Sequence, residues 1–147
     1  MVIWYPYLIK HQDAIERVQR RATKSISTIR DLSYEERLKH LKLPSVHHRQ
    51  LRGDMIELWK LLHEKYDIDI SSLCSVSTNR VCTRGHSLKL VKSYCRTTKR
   101  QNSFKCRHVN EWNSLPEDVV SAPSTNAFKA RLDRHWENHP CKFSFRG

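Results

Sequence analysis

Glycine is scarce in this 147-residue chain, which has three, and proline numbers only five. So few turn formers exclude collagen-like repeats and flexible Gly/Pro-rich low complexity. No run approaches the roughly 18 consecutive apolar residues that a membrane-spanning helix needs. The apolar stretch Trp4, Tyr5, Pro6, Tyr7, Leu8 and Ile9 has no basic region before it and no cleavage site after it, so it does not read as a secretory signal. Five cysteines (Cys74, Cys82, Cys95, Cys106, Cys141) make no even framework and no C-x-x-C. Without a secretion signal they read as reduced thiols, which places the chain in the nucleus or cytoplasm rather than outside the cell or in a membrane. Acid is also missing from one place: from Ile70 to Asn110 there is no Asp or Glu.

What is present is positive charge and helical patterning. Lys and Arg total 27 against 15 acids, a formal charge of +12, and such an excess attracts polyanions, nucleic acid first. Hydrophobic residues make up 38%, enough for a modest core. Asp13 and Glu16 open a helix that should run to about Arg30, burying Ile15, Val18, Ala22, Ile26 and Ile29. Its outer face carries Arg17, Arg20, Arg21 and Lys24. Ser33 and Glu36 form a capping box for a short second helix, which Pro44 ends. Ser45 can cap a third helix reaching about Tyr66, with Leu51, Met55, Leu58, Trp59, Leu62 and Tyr66 inward. Gly53 lies inside it at a cost of about 1 kcal/mol relative to Ala, which close packing of another helix would explain.

The acid-free stretch looks like loop over residues 74–87, with a short extended piece near Leu88 and Leu90. Phe104, Val109 and Trp112 then fit a helix of about ten residues that ends by Pro116. Glu117 and Asp118 suit the N-terminus of a short turn. Pro123 and Ser124 open a last helix that buries Ala127, Phe128, Leu132 and Trp136. The fold class expected is all-α, about five helices with a basic, partly irregular centre. The organisation expected is a helical part over residues 1–69, the basic segment over 70–102 and a second helical part over 103–147.

The common catalytic patterns are lacking: no G-x-S-x-G, no P-loop and no G-x-G-x-x-G occurs. The adjacent acids Glu35-Glu36 and Glu117-Asp118 stand where helices begin, where dipole complementarity explains them. Cys82 with His86, Cys106 with His108, and His135, His139 and Cys141 match no zinc-ligand spacing, so no metal or other cofactor is expected. Arg52-Gly53-Asp54 spells an adhesion tripeptide, but inside a helix it reads as structure. The functional signal is the basic segment. Crowded like charges cost free energy until a polyanion neutralises them, and each neutralised phosphate releases a counterion. Arg80, Arg84, His86, Lys89, Lys92, Arg96, Lys99 and Arg100 are the candidate contacts, with Arg17, Arg20, Arg21 and Lys24 as a second patch. Tyr94 can stack on a base, whereas the spacing of Phe104 with Trp112 reads as core.

Several segments in order resemble the C-terminal region of reverse transcriptases from non-LTR, LINE-like retrotransposons of the jockey-related group. They are W-Y-P-Y-L at Trp4 to Leu8, I-E-R-V-Q-R-R-A-T-K at Ile15 to Lys24, L-S-Y-E-E-R-L-K-H-L-K-L-P at Leu32 to Pro44 and R-G-D-M-I at Arg52 to Ile56. T-R-G-H at Thr83 to His86, W-N-S-L-P at Trp112 to Pro116 and F-K-A-R-L-D at Phe128 to Asp133 follow. No single motif is specific, but the ordered set spans nearly the whole chain. The resemblance implies a region after the polymerase thumb, separated from the palm aspartates and the endonuclease. It therefore implies a non-catalytic fragment of an RNA-directed DNA polymerase that grips RNA or DNA during retrotransposition. Its partners would be nucleic acid and upstream reverse-transcriptase domains, with no membrane and no small-molecule substrate. The sequence departs from LINE-like tails that carry a Cys/His knuckle, which is not found here. Two other readings stay open: a helical module for protein interaction, and a decayed transposon remnant without selected function.

Overall fold

A computed structural model describes residues 6, 8–63 and 85–144. The described residues are helical, with no strand element among them, so the fold is all-α. They divide into two compact units. Described residues within Ile3–Arg52 and Trp136–Gly147 form one, and those within Gly53–His135 form the other. Among the described residues no helix is long and apolar enough to cross a membrane.

The first unit holds α1 (Ile9–Lys24), α2 (Tyr34–His40) and the start of α3 (Val46–Leu62). α1 begins earlier than the Asp13–Glu16 pair suggests: Leu8 is its N-cap residue, with the Gln12 amide side chain donating to the Pro6 carbonyl at 2.8 Å. It also stops earlier than Arg30. The Ser25 backbone N–H and hydroxyl both take up carbonyls of the last turn, and Ile26 turns extended. Its inward face is not the apolar stripe: Glu16, Gln19 and Thr23 are buried, while Val18 is 68% exposed and Ala22 and Ile26 face solvent.

Polar bonds explain that inversion. Glu16 Oε1 accepts the Tyr34 hydroxyl, and its Oε2 accepts the Val46 backbone N–H at 3.0 Å. A carboxylate there also complements the partial positive charge at the N-terminus of α3. Gln19 donates to the Pro44 carbonyl and accepts from Arg49, and Thr23 accepts from Arg37 Nε. Thus α1 is latched to its neighbours by groups that would otherwise be desolvated without partners. Burial, followed by the Glu16 carboxylate, pushes the Tyr34 hydroxyl well above its ordinary range.

The capping box at Ser33 and Glu36 forms as the sequence indicates. α2 closes with Lys42 in the left-handed region, φ 51°, while the Leu43 N–H reaches back to the Leu38 carbonyl at 2.9 Å. Ser45 then serves as expected: its hydroxyl accepts the His48 N–H at 3.1 Å and donates to the Cys141 carbonyl.

The second unit has an apolar core. The rest of α3 contributes Met55, Ile56, Leu58, Trp59 and Leu61, all buried. Leu51 and Leu62 are only half-buried, and Tyr66 lies outside the described residues. The single helix expected after Ser103 is broken at His108 into α5 (Phe104–Arg107) and α6 (Val109–Ser114), preceded by the one-turn α4 (Thr98–Gln101). α7 (Glu117–Val120) and α8 (Thr125–His135) follow. The Ser124 hydroxyl accepts the Ala127 N–H near the start of α8. Trp59 stacks on Phe128 with centroids 5.5 Å apart, and its Nε1 donates to the Val120 carbonyl at 3.1 Å. Phe128 and Leu132 are buried as expected, whereas Ala127 is half-buried; Trp136, also buried as expected, belongs to the first unit. Among the described residues no close neighbour packs over Gly53: a Cβ there would meet nothing within 4 Å.

Candidate nucleic-acid interface

The basic segment is anchored at one end and open at the other. At Gly85 the backbone takes φ +125°, a conformation L side chains rarely adopt. His86 follows and turns inward. Its Nε2 lies 2.9 Å from the Trp112 carbonyl and its ring meets the Trp112 indole edge-on. Trp112 Nε1 donates to the Leu88 carbonyl at 2.8 Å. Asn113 then acts as a clamp, accepting the Leu90 N–H and donating to the Leu90 carbonyl, both at 2.9 Å. The Trp-Asn pair of W-N-S-L-P therefore fixes residues 86–90 in an irregular extended path. The Ser87 N–H and hydroxyl add bonds to the Glu117 carboxylate.

Beyond Leu90 the chain comes out to solvent. Val91 is 50% and Tyr94 85% exposed. Lys92, Arg96, Lys99 and Arg100 are exposed, and Lys92 Nζ reaches Asn110 Oδ1 at 3.3 Å. Thr97 caps α4 by accepting the Arg100 N–H, which displays Lys99 and Arg100 on one turn. Among the described residues no carboxylate lies within ion-pair distance of Arg96, Lys99 or Arg100. Their charge is thus available to phosphate oxygens, and Tyr94 offers an open aromatic face in the same run.

The structure brings together only part of the sequence-derived set. Arg80 and Arg84 lie outside the described residues. His86 is 2% exposed, and burial lowers its pKa, so the ring is a neutral anchor facing Trp112 rather than solvent. Lys89 is half-buried, its side chain lying over Gly85. Arg17, Arg20, Arg21 and Lys24 are exposed on α1, with the Arg20 guanidinium 4.9 Å from the centre of the Tyr34 ring. Phe104 is half-buried rather than core, with the Arg107 guanidinium 5.7 Å from its centroid.

Arg107 belongs to the acid-free stretch, yet it is committed inside the second unit. Its guanidinium meets both oxygens of Asp54, at 3.1 and 3.2 Å, and its Nε donates to His108 Nε2 at 2.7 Å. Asp54 and His108 are 4 and 3% exposed. Burial raises the Asp54 carboxyl to about 6 although Arg107 opposes the shift. Burial, followed by the Arg107 charge, lowers His108 to about 3. His108 is therefore neutral near pH 7. With Nε2 accepting from Arg107, the proton sits on Nδ1, which has no hydrogen-bond partner among the described residues. Sequence spacing gives no hint of this cluster, because its members are 53 residues apart.

Among the described residues no three His, Cys, Asp or Glu side chains group to hold a metal ion. No family model, no curated protein and no solved structure matches the chain.

Proposed function

We propose that this chain binds RNA or DNA with little sequence preference, as the non-catalytic C-terminal module of a LINE-like reverse transcriptase. The observation that carries the reading is the open run from Lys92 to Arg100, in which Tyr94 is 85% exposed and, among the described residues, Arg96, Lys99 and Arg100 have no carboxylate partner. A flexible strand can lay phosphates against the cations and a base on the tyrosine without any base-edge contact. The contact set is then Lys92, Tyr94, Arg96, Lys99 and Arg100, with Arg17, Arg20, Arg21 and Lys24 as a second basic face. The buried His86 has no place in it.

Titration against a structured RNA and a single-stranded DNA at several salt concentrations tests this. Affinity should fall steeply with salt. The triple substitution Arg96→Ala, Lys99→Ala, Arg100→Ala should lower the salt slope by about two to three, one phosphate for each charge. Tyr94→Ala should cost about 1–3 kcal/mol if the ring stacks on a base. No binding at low salt, or binding indifferent to salt, overturns the proposal.

A second reading has one observation in its favour. Ile9, Val18 and Ile26 expose 65, 68 and 39% of their surface on or just beyond α1, apolar surface that suits a protein partner such as upstream polymerase domains. Val18→Glu should abolish association with those domains supplied in trans while leaving nucleic-acid affinity intact.

A further inference from the structure

We infer that Cys95 and Cys106 are a redox-modified pair, closing to a reversible intramolecular disulfide that staples the turn bearing Arg96, Lys99 and Arg100. The two sulfurs are 3.1 Å apart, with Cys95 the donor, although the residues are eleven apart in sequence. That separation is shorter than ordinary sulfur–sulfur contact, and a bond of about 2.05 Å needs the atoms to approach by only about another 1 Å. Cys95 also donates to the Ser93 carbonyl at 3.4 Å, which keeps its side chain turned along this path.

The partners are unequal in a way that suits oxidation. Cys95 is partly exposed and stands beside the exposed Arg96, whereas Cys106 is 8% exposed on α5. Cys106 is also held in place, because its neighbour Arg107 is bonded to both oxygens of Asp54. An accessible thiol thus sits against a fixed, shielded one. In the reduced chain the Cys106 sulfur, followed by burial, holds the Cys95 thiol above its ordinary pKa, with Arg100 and Lys92 pulling the other way. Cys95 therefore rests as a thiol and reacts through the small thiolate fraction that the basic surroundings support.

With a peroxide as oxidant the atoms balance simply. The Cys95 thiolate attacks one oxygen of hydrogen peroxide, the O–O bond breaks, and a sulfenic acid and hydroxide form; hydroxide leaves as water with the thiol's proton. Cys106 then attacks the sulfenic sulfur, the S–S bond forms, and a second hydroxide departs as water with the Cys106 proton. Two thiols and one peroxide give one disulfide and two waters. Two equivalents of glutathione reverse the step and leave as glutathione disulfide.

Closing this loop removes conformational freedom from the unfolded chain and fixes the turn around α4. The full chain, treated with hydrogen peroxide and alkylated, should give a Cys95–Cys106 linked peptide before any other disulfide. Cys74, Cys82 and Cys141 should remain open to alkylation at that stage. The oxidised chain should melt several degrees above the reduced one, and glutathione should return it to the reduced melting temperature. Cys95→Ser, a small change at a partly exposed site, should abolish both the linked peptide and the melting shift. Linkage of either cysteine to another partner, or alkylation of both after the remaining thiols have oxidised, overturns the inference. The assay contains no nucleic acid, so it stands or falls apart from the binding proposal.

Discussion

In the first unit, the residues that α1 sends inward are Glu16, Gln19 and Thr23, and the apolar Val18 is left in solvent. In the second, the inward residues of α3 and α8 are Met55, Leu58, Trp59, Phe128 and Leu132. In the first unit α1 is latched by directional bonds, although Ile29, Leu38 and Trp136 are also buried in that unit, and the second unit is packed around aromatic rings. The two modes fail differently. Apolar burial is non-directional and scales with area, so its loss is measured by the size of the group removed. A buried polar latch contributes little net when formed, but it leaves desolvated partners behind when broken.

The largest expected effect lies in the packed unit. Trp112 is fully buried, lies 6.2 Å from Phe128, and holds the basic segment through its bond to Leu88. Trp112→Ala should cost about 3–5 kcal/mol in denaturant unfolding. The path of residues 86–90 should loosen with it, seen as faster amide exchange there. A loss below about 1 kcal/mol would mean that the ring is not central to the core.

Glu16→Ala probes the latched unit. It orphans the Tyr34 hydroxyl and the Val46 N–H together, and should cost about 2–3 kcal/mol. Val18→Ser, two positions along the same helix, should change stability by less than about 0.5 kcal/mol. If the serine variant is the more damaging of the two, α1 turns Val18 inward rather than Glu16 and is held by apolar packing.

That pair of substitutions marks how far the sequence could be read. The helical period of α1 was legible, and so were the capping box at Ser33 and Glu36, the Ser45 cap and the aromatic core of α8. The buried face of α1 was not. Hydrophobic periodicity identifies a helix's apolar side, and that side goes inward only when apolar burial decides the packing. Here Tyr34, Val46, Pro44 and Arg37 supply partners for polar groups, and each of those partners is distant in sequence. The break at His108 escaped for the same reason, since Arg107 and His108 both reach Asp54, which is distant in sequence. In the basic segment the charge was legible by composition. Which charges are displayed was not, because burial of His86 and pairing of Arg107 depend on Trp112 and Asp54.

The Asp54–Arg107–His108 cluster puts a polar latch inside the packed unit, and pH reads it. Asp54 is raised to about 6 from an ordinary 3.8, so the stability it lends is full below about 4 and is lost as pH rises through 6. His108 is lowered to about 3 from 6.5, so its stability is full above 6.5 and is lost as pH falls. Between about pH 4 and 6 the two slopes oppose, each about 1.4 kcal/mol per pH unit. Asp54→Asn removes one of them. Its unfolding free energy should therefore fall with acidification more steeply than that of the unchanged chain, by about 1.4 kcal/mol per pH unit. A variant with a shallower acid slope would place the Asp54 carboxyl below its ordinary value, with the Arg107 ion pair outweighing burial.

The smallest effect has the opposite sign. Gly53 stands in α3 beside Asp54, where the sequence pattern suggests close packing of a neighbouring helix. Among the described residues a Cβ there would meet nothing within 4 Å, and the backbone at this helical position makes no demand that only glycine meets. Alanine then loses nothing in the folded state and narrows the unfolded ensemble, so Gly53→Ala should stabilise the chain by about 1 kcal/mol. The readout is a rise of a few degrees in melting temperature. Because α3 contributes to both units, the same substitution asks what sets the stability of that helix. If alanine stabilises, backbone entropy at this position is a cost that neither the latches nor the aromatic core requires. A fall in melting temperature would instead put a close neighbour over this turn, and the packing explanation read from the sequence would return.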